Sequence, residues 1–415
     1  MDVQQLFKGI AVIIDDQIED GKANVSKIIE QVKEKNIPYL SCKKLPPDDF
    51  IPHFQNISFV ILDWKLVRKD LETGEEEKLI VPDTLKKENN QRNLDFIRKL
   101  NELCLCPIFI FTNESIGDIV SLLQDGLSYS PDTHSNIFIQ SKSDLEKENA
   151  LFTKIEEWLK DTPSIYVLKE WEKEYQNSKN KLFTDMQLIS AKWPLIMWKN
   201  FGDDGVVKSL ELGELISRNL YSRMAPFEFD EEILGKEETA IEKAELRKLL
   251  EGARYLDKKC LNENDIGTGD LFKEEYQDSG QKKYKYYLNI RPQCDLLRDN
   301  GPDKLELYCL RGREMDKTKV KADSFNSGHF LEKINNAIIP FIDNGTIVEF
   351  LFKDIKLKKW GELKEKRIGR ILPPYINHIQ QRYGLYIQRQ GLPRTPTIAI
   401  DFFVEQVVQE DEDKN

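Results

Sequence analysis

Metal and disulfide chemistry have little to work with in this chain. Its four histidines, His53, His134, His329 and His378, lie too far apart for the spacing of a metal site. Six cysteines (Cys42, Cys104, Cys106, Cys260, Cys294 and Cys309) are scattered, and no CxxC pair occurs. Neither a disulfide nor a zinc framework is expected, and a reducing cytoplasm fits best. No apolar run approaches the length that spans a bilayer, and Met1 to Lys8 is too polar for a secretory signal. A net charge of −11 argues against non-specific nucleic-acid binding by the whole chain. No helix-turn-helix, kinase, cyclase or phosphodiesterase signature occurs in residues 164–415. What these absences leave is a cytoplasmic globular protein of ordinary composition, 40% hydrophobic and 32% charged. Its 415 residues suffice for two or three domains.

The first 162 residues alternate strand and helix. Phe59-Val60-Ile61-Leu62 is a continuous apolar run that ends in Asp63, the pattern of a strand buried on both faces. Ile10 to Ile14 ends in Asp15-Asp16, Pro107 to Phe111 ends in Thr112, and Asn136 to Ile139 is followed by Lys142. A short strand is expected at Ile37 to Leu40. Helices are expected at about Lys22 to Asn36, Asn93 to Leu103, Ile116 to Gln124 and Asp144 to Lys160. Five such βα units predict an α/β domain with a parallel sheet covered on both faces. Chemistry in such sheets gathers at the C-terminal ends of the strands, where three carboxylates, one hydroxyl and one ammonium would meet. Residues 64–90 are polar and long for a βα loop, and read as an inserted flap beside that site.

Pro163 marks an expected boundary. Residues 163–261 carry helical periodicity and predict a helical middle region, with helices at Lys208 to Met224 and Lys236 to Leu256. From Asn262 to residue 409 the pattern becomes a small β-rich α+β domain. Its expected strands are Lys283 to Ile290, Lys304 to Leu310, Thr346 to Leu351 and Thr397 to Val404. Gly328 to Asp343 reads as a helix, and Leu372-Pro-Pro-Tyr375 opens another with proline at the first helical position. Residues 410–415 form a charged, disordered tail.

The order Asp15-Asp16, Asp63, Thr112, Lys142, each at the end of an expected strand, resembles the receiver domain of two-component response regulators. The resemblance covers about residues 8–160. It implies a flavodoxin-like (βα)5 fold and phosphorelay signalling. Asp63 matches the phosphoacceptor, which takes its phosphoryl group from a histidine kinase or phosphotransfer protein. Asp15, Asp16 and Asp63 match the family's Mg²⁺ ligands, and Thr112 and Lys142 match the residues that contact the phosphoryl group. The residue types suit the chemistry, because Mg²⁺ takes oxygen ligands and aspartyl phosphates are an established covalent route. There are departures. Ser143 follows Lys142 where proline is usual, Asn113 follows Thr112 where a very small residue is usual, and the segment after Asp63 is long. Together they point to an atypical receiver, and Asn113 and the missing proline motivate the alternative of an unphosphorylated scaffold in a bacterial defence or stress complex.

Three features stand out further along. Pro292-Gln-Cys294-Asp295 sets a thiol beside a carboxylate, but a nucleophilic cysteine needs a base and no histidine is near, so a structural turn is the simpler reading. Residues 353–394 carry eleven basic side chains against three acidic ones, interspersed with Trp360, Tyr375, Tyr383 and Tyr386. That composition suits nucleic acid and equally a solvated face or an acidic partner. Arg367 to Tyr375 with Arg389 to Pro393 resembles the end of SH3-like modules carried by bacterial receiver proteins, some of them near phage-defence loci, and assigns no catalytic residue.

Overall fold

The computed structural model describes residues 3–19, 24–66, 83–127, 129, 135–145, 147, 149–224, 226–236, 242–296, 304–316, 318, 331–333, 335–390 and 395–401. The chain is mixed α/β and divides into two compact units. The first comprises residues 1–194 and 214–238, and the second residues 195–213 and 239–415.

The first unit opens with α1 (Val3–Leu6), β1 (Ile10–Ile14), α2 (Asn24–Glu34), β2 (Tyr39–Cys42) and β3 (Ile57–Leu62). It continues with α3 (Asp83–Leu103), β4 (Ile108–Thr112), α4 (Ile116–Leu127), β5 (Ile137–Ser141), α5 (Ala150–Lys160) and α6 (Pro163–Ile189). The five strands form one parallel sheet in the order β2-β1-β3-β4-β5. Its strands read as unbroken apolar runs because both faces are covered. On β1, Ala11 and Ile13 enter one core with Phe7, Phe59 and Phe109, while Val12 and Ile14 enter the other with Val60, Ile97 and Ile110. β1 runs out to β2, and the chain then returns to the far side of β1 for β3. At such a reversal the flanking loops diverge and leave a crevice at the strands' C-terminal ends.

Two expectations about this unit are corrected. Residues 83–90 belong to α3, so the inserted segment is shorter than 64–90, and its residues 67–82 lie outside the described residues. The boundary expected at Pro163 falls inside the unit. Pro163 is instead the first residue of α6, where its missing N–H costs nothing, and Ile165 and Tyr166 pack into the first core.

Helices α7 (Trp193–Asp203) and α8 (Lys208–Arg223) run from one unit to the other, and α9 (Glu231–Leu234) follows. The second unit holds α10 (Lys243–Gly252), β6 (Tyr255–Asp257), β7 (Asp270–Asp278), β8 (Gln281–Asn289), α11 (Gln293–Leu296) and β9 (Glu306–Glu314). After these come β10 (Leu331–Lys333), β11 (Asn336–Ile342), β12 (Thr346–Lys359), α12 (Trp360–Leu363), β13 (Arg367–Ile371) and α13 (Tyr375–Gln388). The strands make one antiparallel sheet of eight, ordered β10-β11-β12-β9-β8-β7-β13-β6. This is larger than the small SH3-like module expected.

The helical middle region is not a separate body. It is shared between the units, and Tyr255 and Leu256, expected at the end of a helix, pair in β6 with Ile371 and Arg370. The helix expected at Gly328 to Asp343 is a pair of strands, β10 and β11, within the described residues. Asp343, Asn344 and Gly345 all adopt positive φ, which closes a β11–β12 hairpin. The strand expected at Thr397 to Val404 is helical over residues 397–401. Its last three residues and the tail at 410–415 lie outside the described residues.

Candidate functional site

Three strand ends deliver the first unit's polar residues to one edge. Asp15 and Asp63 follow β1 and β3, which pair in register, Ile14 opposite Leu62. The Asp63 N–H donates to the Ile14 carbonyl at 2.8 Å, and the Asp15 N–H donates to Cys42 O at 3.0 Å. The carboxylates are thus fixed by the ladder itself. β5 pairs with β4, Ser141 opposite Thr112, so Lys142 emerges at the same edge.

Lys142 joins the two carboxylates. Its Nζ donates to Asp15 Oδ2 at 2.7 Å and pairs with Asp63 Oδ2 at 2.8 Å. All three side chains are buried, with Asp63 6% exposed. Asp16 is half-buried, and one ligand atom from each of Asp15, Asp16 and Asp63 lies within 4.8 Å of the others. An all-carboxylate oxygen set is the donor chemistry of a hard divalent cation, so these residues fit such an ion. Their geometry does not select which one.

Burial is the main influence on Asp63 and pushes its carboxyl up to about 6, with Lys142 pulling the other way and Asp15 adding to the rise. Burial also pulls Lys142 down, but the charges of Asp63 and Asp15 outweigh it and the ammonium ends above its usual value. The cluster is therefore one ammonium shared by two carboxylates, with the proton shared least willingly by Lys142.

Thr112 is fully buried at the end of β4. Its Oγ1 accepts from the Glu114 N–H at 3.0 Å. It stands on the same sheet edge as the carboxylates without a bond to them among the described residues, and its hydroxyl proton remains a donor. Asn113 is exposed. Ser143 places its Oγ 2.8 Å from that of Ser141.

Several supporting residues carry no signal in a strand-end pattern. Gln31, buried on the inner face of α2, donates from Nε2 to Leu145 O at 2.9 Å and accepts on Oε1 from the Leu151 N–H at 2.9 Å. It ties down the 3₁₀ turn that carries Lys142. Asn93 on α3 donates to Trp64 O at 2.7 Å, and Asn90 Oδ1 accepts from Trp64 Nε1 at 2.9 Å. These amides hold the chain just after Asp63. Their signal was the recurrence of asparagine at helical spacing, 89, 90 and 93, which points to one helix face. Across the rim, Lys65 pairs with Glu114 at 3.3 Å.

The other sequence candidates are placed in the second unit. Cys294 is exposed and its Sγ is 3.8 Å from Asp295 Oδ1, a turn with no base beside it among the described residues. Part of the basic segment is neutralised within its own unit. Arg370 pairs with Asp270 at 2.7 Å and Asp265 at 3.0 Å. Arg367 is buried over the Trp360 ring and donates to the carbonyls of Asp265 and Asn262. Lys366 pairs with Glu274 at 2.5 Å, and Lys356 with Asp354 at 2.9 Å.

No protein-family model matches the chain, and no curated protein matches it. Among solved structures, a yeast Spc42 trimeric coiled-coil segment (amino acids 181–211) fused to another structure is similar at 11% identity. That alignment covers 44% of this chain and 92% of that one, with a TM-score of 0.26, too low to bear on fold or function. No helix among the described residues is long and apolar enough to cross a membrane.

Proposed function

We propose that the first unit is a receiver-type phosphoacceptor domain and that the protein is a phosphorelay signalling protein. The observation that carries this reading is the convergence of Asp15, Asp63 and Lys142 within ion-pair distance, with Asp16 alongside and Thr112 on the same edge. The strand order 2-1-3-4-5 supports it, being the flavodoxin-like order with its crevice at the β1/β3 reversal. Asp63 is the nucleophile. An Asp63 carboxylate oxygen bonds to phosphorus as the bond from phosphorus to the donor's leaving group breaks. The donor is a histidine kinase or phosphotransfer protein.

Asp15, Asp16 and Asp63 would hold Mg²⁺, which supplies counter-charge for the phosphoryl oxygens. Lys142 has three N–H donors and can pass one to the new anion, so that its partners change from two carboxylates to a carboxylate and a phosphoryl group. Thr112 turns its O–H toward the same anion. The added charge of about −1.5 to −2 then reorganises the strand edge, and the second unit is the output module. Intact mass after incubation with Mg²⁺ and acetyl phosphate tests this. Wild type gains one phosphoryl group and Asp63→Asn gains none. Equal behaviour of the two proteins defeats the assignment.

A second reading, an unphosphorylated receiver-like subunit of a defence or stress complex, is favoured by one observation. Asp63 is buried beneath its contact with Lys142, which restricts approach of a donor. Full activity of an Asp63→Ala protein in cells would support it over the first.

A further inference from the structure

Cys104 and Cys106 lie in the short link between α3 and β4, at the end of the parallel sheet opposite Asp63. The chain is heading into a strand there, where residues two apart share a side. Both thiols meet the core that holds Val60, Ile97 and Ile110, Cys106 buried within it and Cys104 half-buried at its edge. The Cys106 S–H donates to the Cys104 sulfur. Cys104 Sγ in turn donates to Phe54 O at 3.2 Å, which fixes its rotamer. The backbone is pinned on both sides of the pair. The Cys104 N–H donates to Leu100 O at 2.7 Å, and Cys106 O accepts from Asn136 Nδ2 at 2.8 Å.

A thiol reacts as its thiolate, and the two sulfurs differ in this respect. The hydrogen bond from Cys106 is the main influence on Cys104 and holds its thiol below the usual value. Burial opposes that, the Lys169 ammonium adds to the lowering, and Glu172 works against it. Lys169 stands on α6, fully buried, and pairs with Glu172 at 2.8 Å. Cys106 is pushed well above the usual value, by the same hydrogen bond and by burial. Leu103 and Leu105 on either side of Cys104 are exposed, so small solutes reach this part of the link. One sulfur is an accessible nucleophile and the other a buried thiol held against it, the arrangement of an attacking and a resolving cysteine. The remaining cysteines differ. Burial pushes Cys42 and Cys309 up, and Cys260 and Cys294 are exposed.

We propose that Cys104 and Cys106 are a site of reversible oxidation by peroxide, which closes a disulfide between them. The Cys104 thiolate attacks one oxygen of hydrogen peroxide. The O–O bond breaks, hydroxide leaves, and Cys104 becomes a sulfenic acid. The Cys106 sulfur then attacks the Cys104 sulfur. The S–S bond forms as the S–O bond breaks, and the departing hydroxide takes the Cys106 proton and leaves as water. The two thiols give up two electrons, and the peroxide is reduced to two waters. A bridge between residues two apart closes a small ring and is strained, so it belongs to the easily reduced class of disulfides. Small thiols therefore reopen it. The proposal is independent of the chemistry at Asp63.

It is tested on the full chain, treated with hydrogen peroxide, alkylated and mapped by mass spectrometry. The tryptic peptide 100–142 holds both cysteines and no other. That peptide should lose two hydrogens and both alkylation sites, about tenfold faster than Cys260 or Cys294 is oxidised, and reduced glutathione should restore them. Cys106→Ser should stop at a Cys104 sulfenic acid, which dimedone traps. Cys104→Ser should leave Cys106 unoxidised. Wild-type protein whose two thiols are still alkylated after peroxide overturns the proposal, as does oxidation of Cys260 or Cys294 ahead of the pair. Dimedone adducts on wild-type Cys104 with no disulfide remove Cys106 from its role. A disulfide between two chains overturns the proposal in favour of an intermolecular bridge.

Discussion

Replacing Asp63 by asparagine should stabilise the first unit at neutral pH and leave it unchanged in acid. Asp63 is nearly isosteric with asparagine, so packing is preserved. What changes is a buried charge whose pKa in the folded protein is about 6, against a usual 3.8. Burial raises it more than Lys142 lowers it, so the ion pair at 2.8 Å does not recover the cost of desolvation. Raising a carboxyl's pKa means that the folded protein holds its proton more tightly than the unfolded chain. Stability from that proton is present below about pH 4 and is lost as pH rises through about 6. The gap corresponds to about 3 kcal/mol, an upper figure because Lys142 keeps Asp15 as its remaining partner in the variant. Asp63→Asn should therefore be about 1–3 kcal/mol more stable than wild type at pH 8, with the difference vanishing near pH 4. Urea unfolding of both proteins across pH 4 to 8 measures it, followed by the fluorescence of the buried Trp64. A variant less stable than wild type at pH 8, or a difference independent of pH, refutes the reasoning that burial outweighs the ion pair.

Lys142→Ala acts the opposite way, because it leaves two buried carboxylates without their cation. It should cost about 3–5 kcal/mol in the same assay. Divalent cation should raise the melting temperature of wild type by mass action, and Asp16→Asn should abolish the shift. Phosphoryl acceptance from acetyl phosphate should rise with pH through about 6 as Asp63 ionises, and a flat profile would separate the rate from this group. Arg367→Ala should destabilise the second unit by about 2 kcal/mol or more, since it empties a buried site over the Trp360 ring and removes the donors to the Asp265 and Asn262 carbonyls, and thermal unfolding reads it. A stable Arg367→Ala protein would mean that this arginine is a surface contact after all.

The parallel sheet was legible because covered strands must be apolar throughout. Ile10–Ile14 and Ile57–Leu62 are buried almost end to end, so their ends, and the carboxylates beyond, stand out. The register that brings Lys142 to Asp15 is set by β4 and β5 together, and the alternation of elements implied it. What failed was local ambiguity and non-local charge. Ala337 to Ile342 is an apolar run too short for its period to separate helix from strand. The decisive cue was the turn Asp343-Asn344-Gly345, whose residues tolerate the positive φ they adopt. The first turns of α3, Asp83 to Asn90, are polar and lack the apolar stripe that marks a helix. The basic excess of residues 353–394 is real in the sequence. Its neutralising partners Asp265, Asp270 and Glu274 lie about a hundred positions away, and no window along the chain contains them. Gln31 is the comparable case for the site, since one polar residue on an apolar helix face gives no hint of the two backbone groups, at Leu145 and Leu151, that it satisfies.

The proposed phosphorelay role requires Asp63 to be the residue that takes the phosphoryl group. Treatment of the phosphorylated protein with tritiated borohydride reduces an aspartyl phosphate to homoserine, and peptide mapping then reads the position. Label at residue 63, dependent on divalent cation and lost in Lys142→Ala, is the predicted result. Absence of label, or label at Asp15 or Asp16 in its place, would contradict the account.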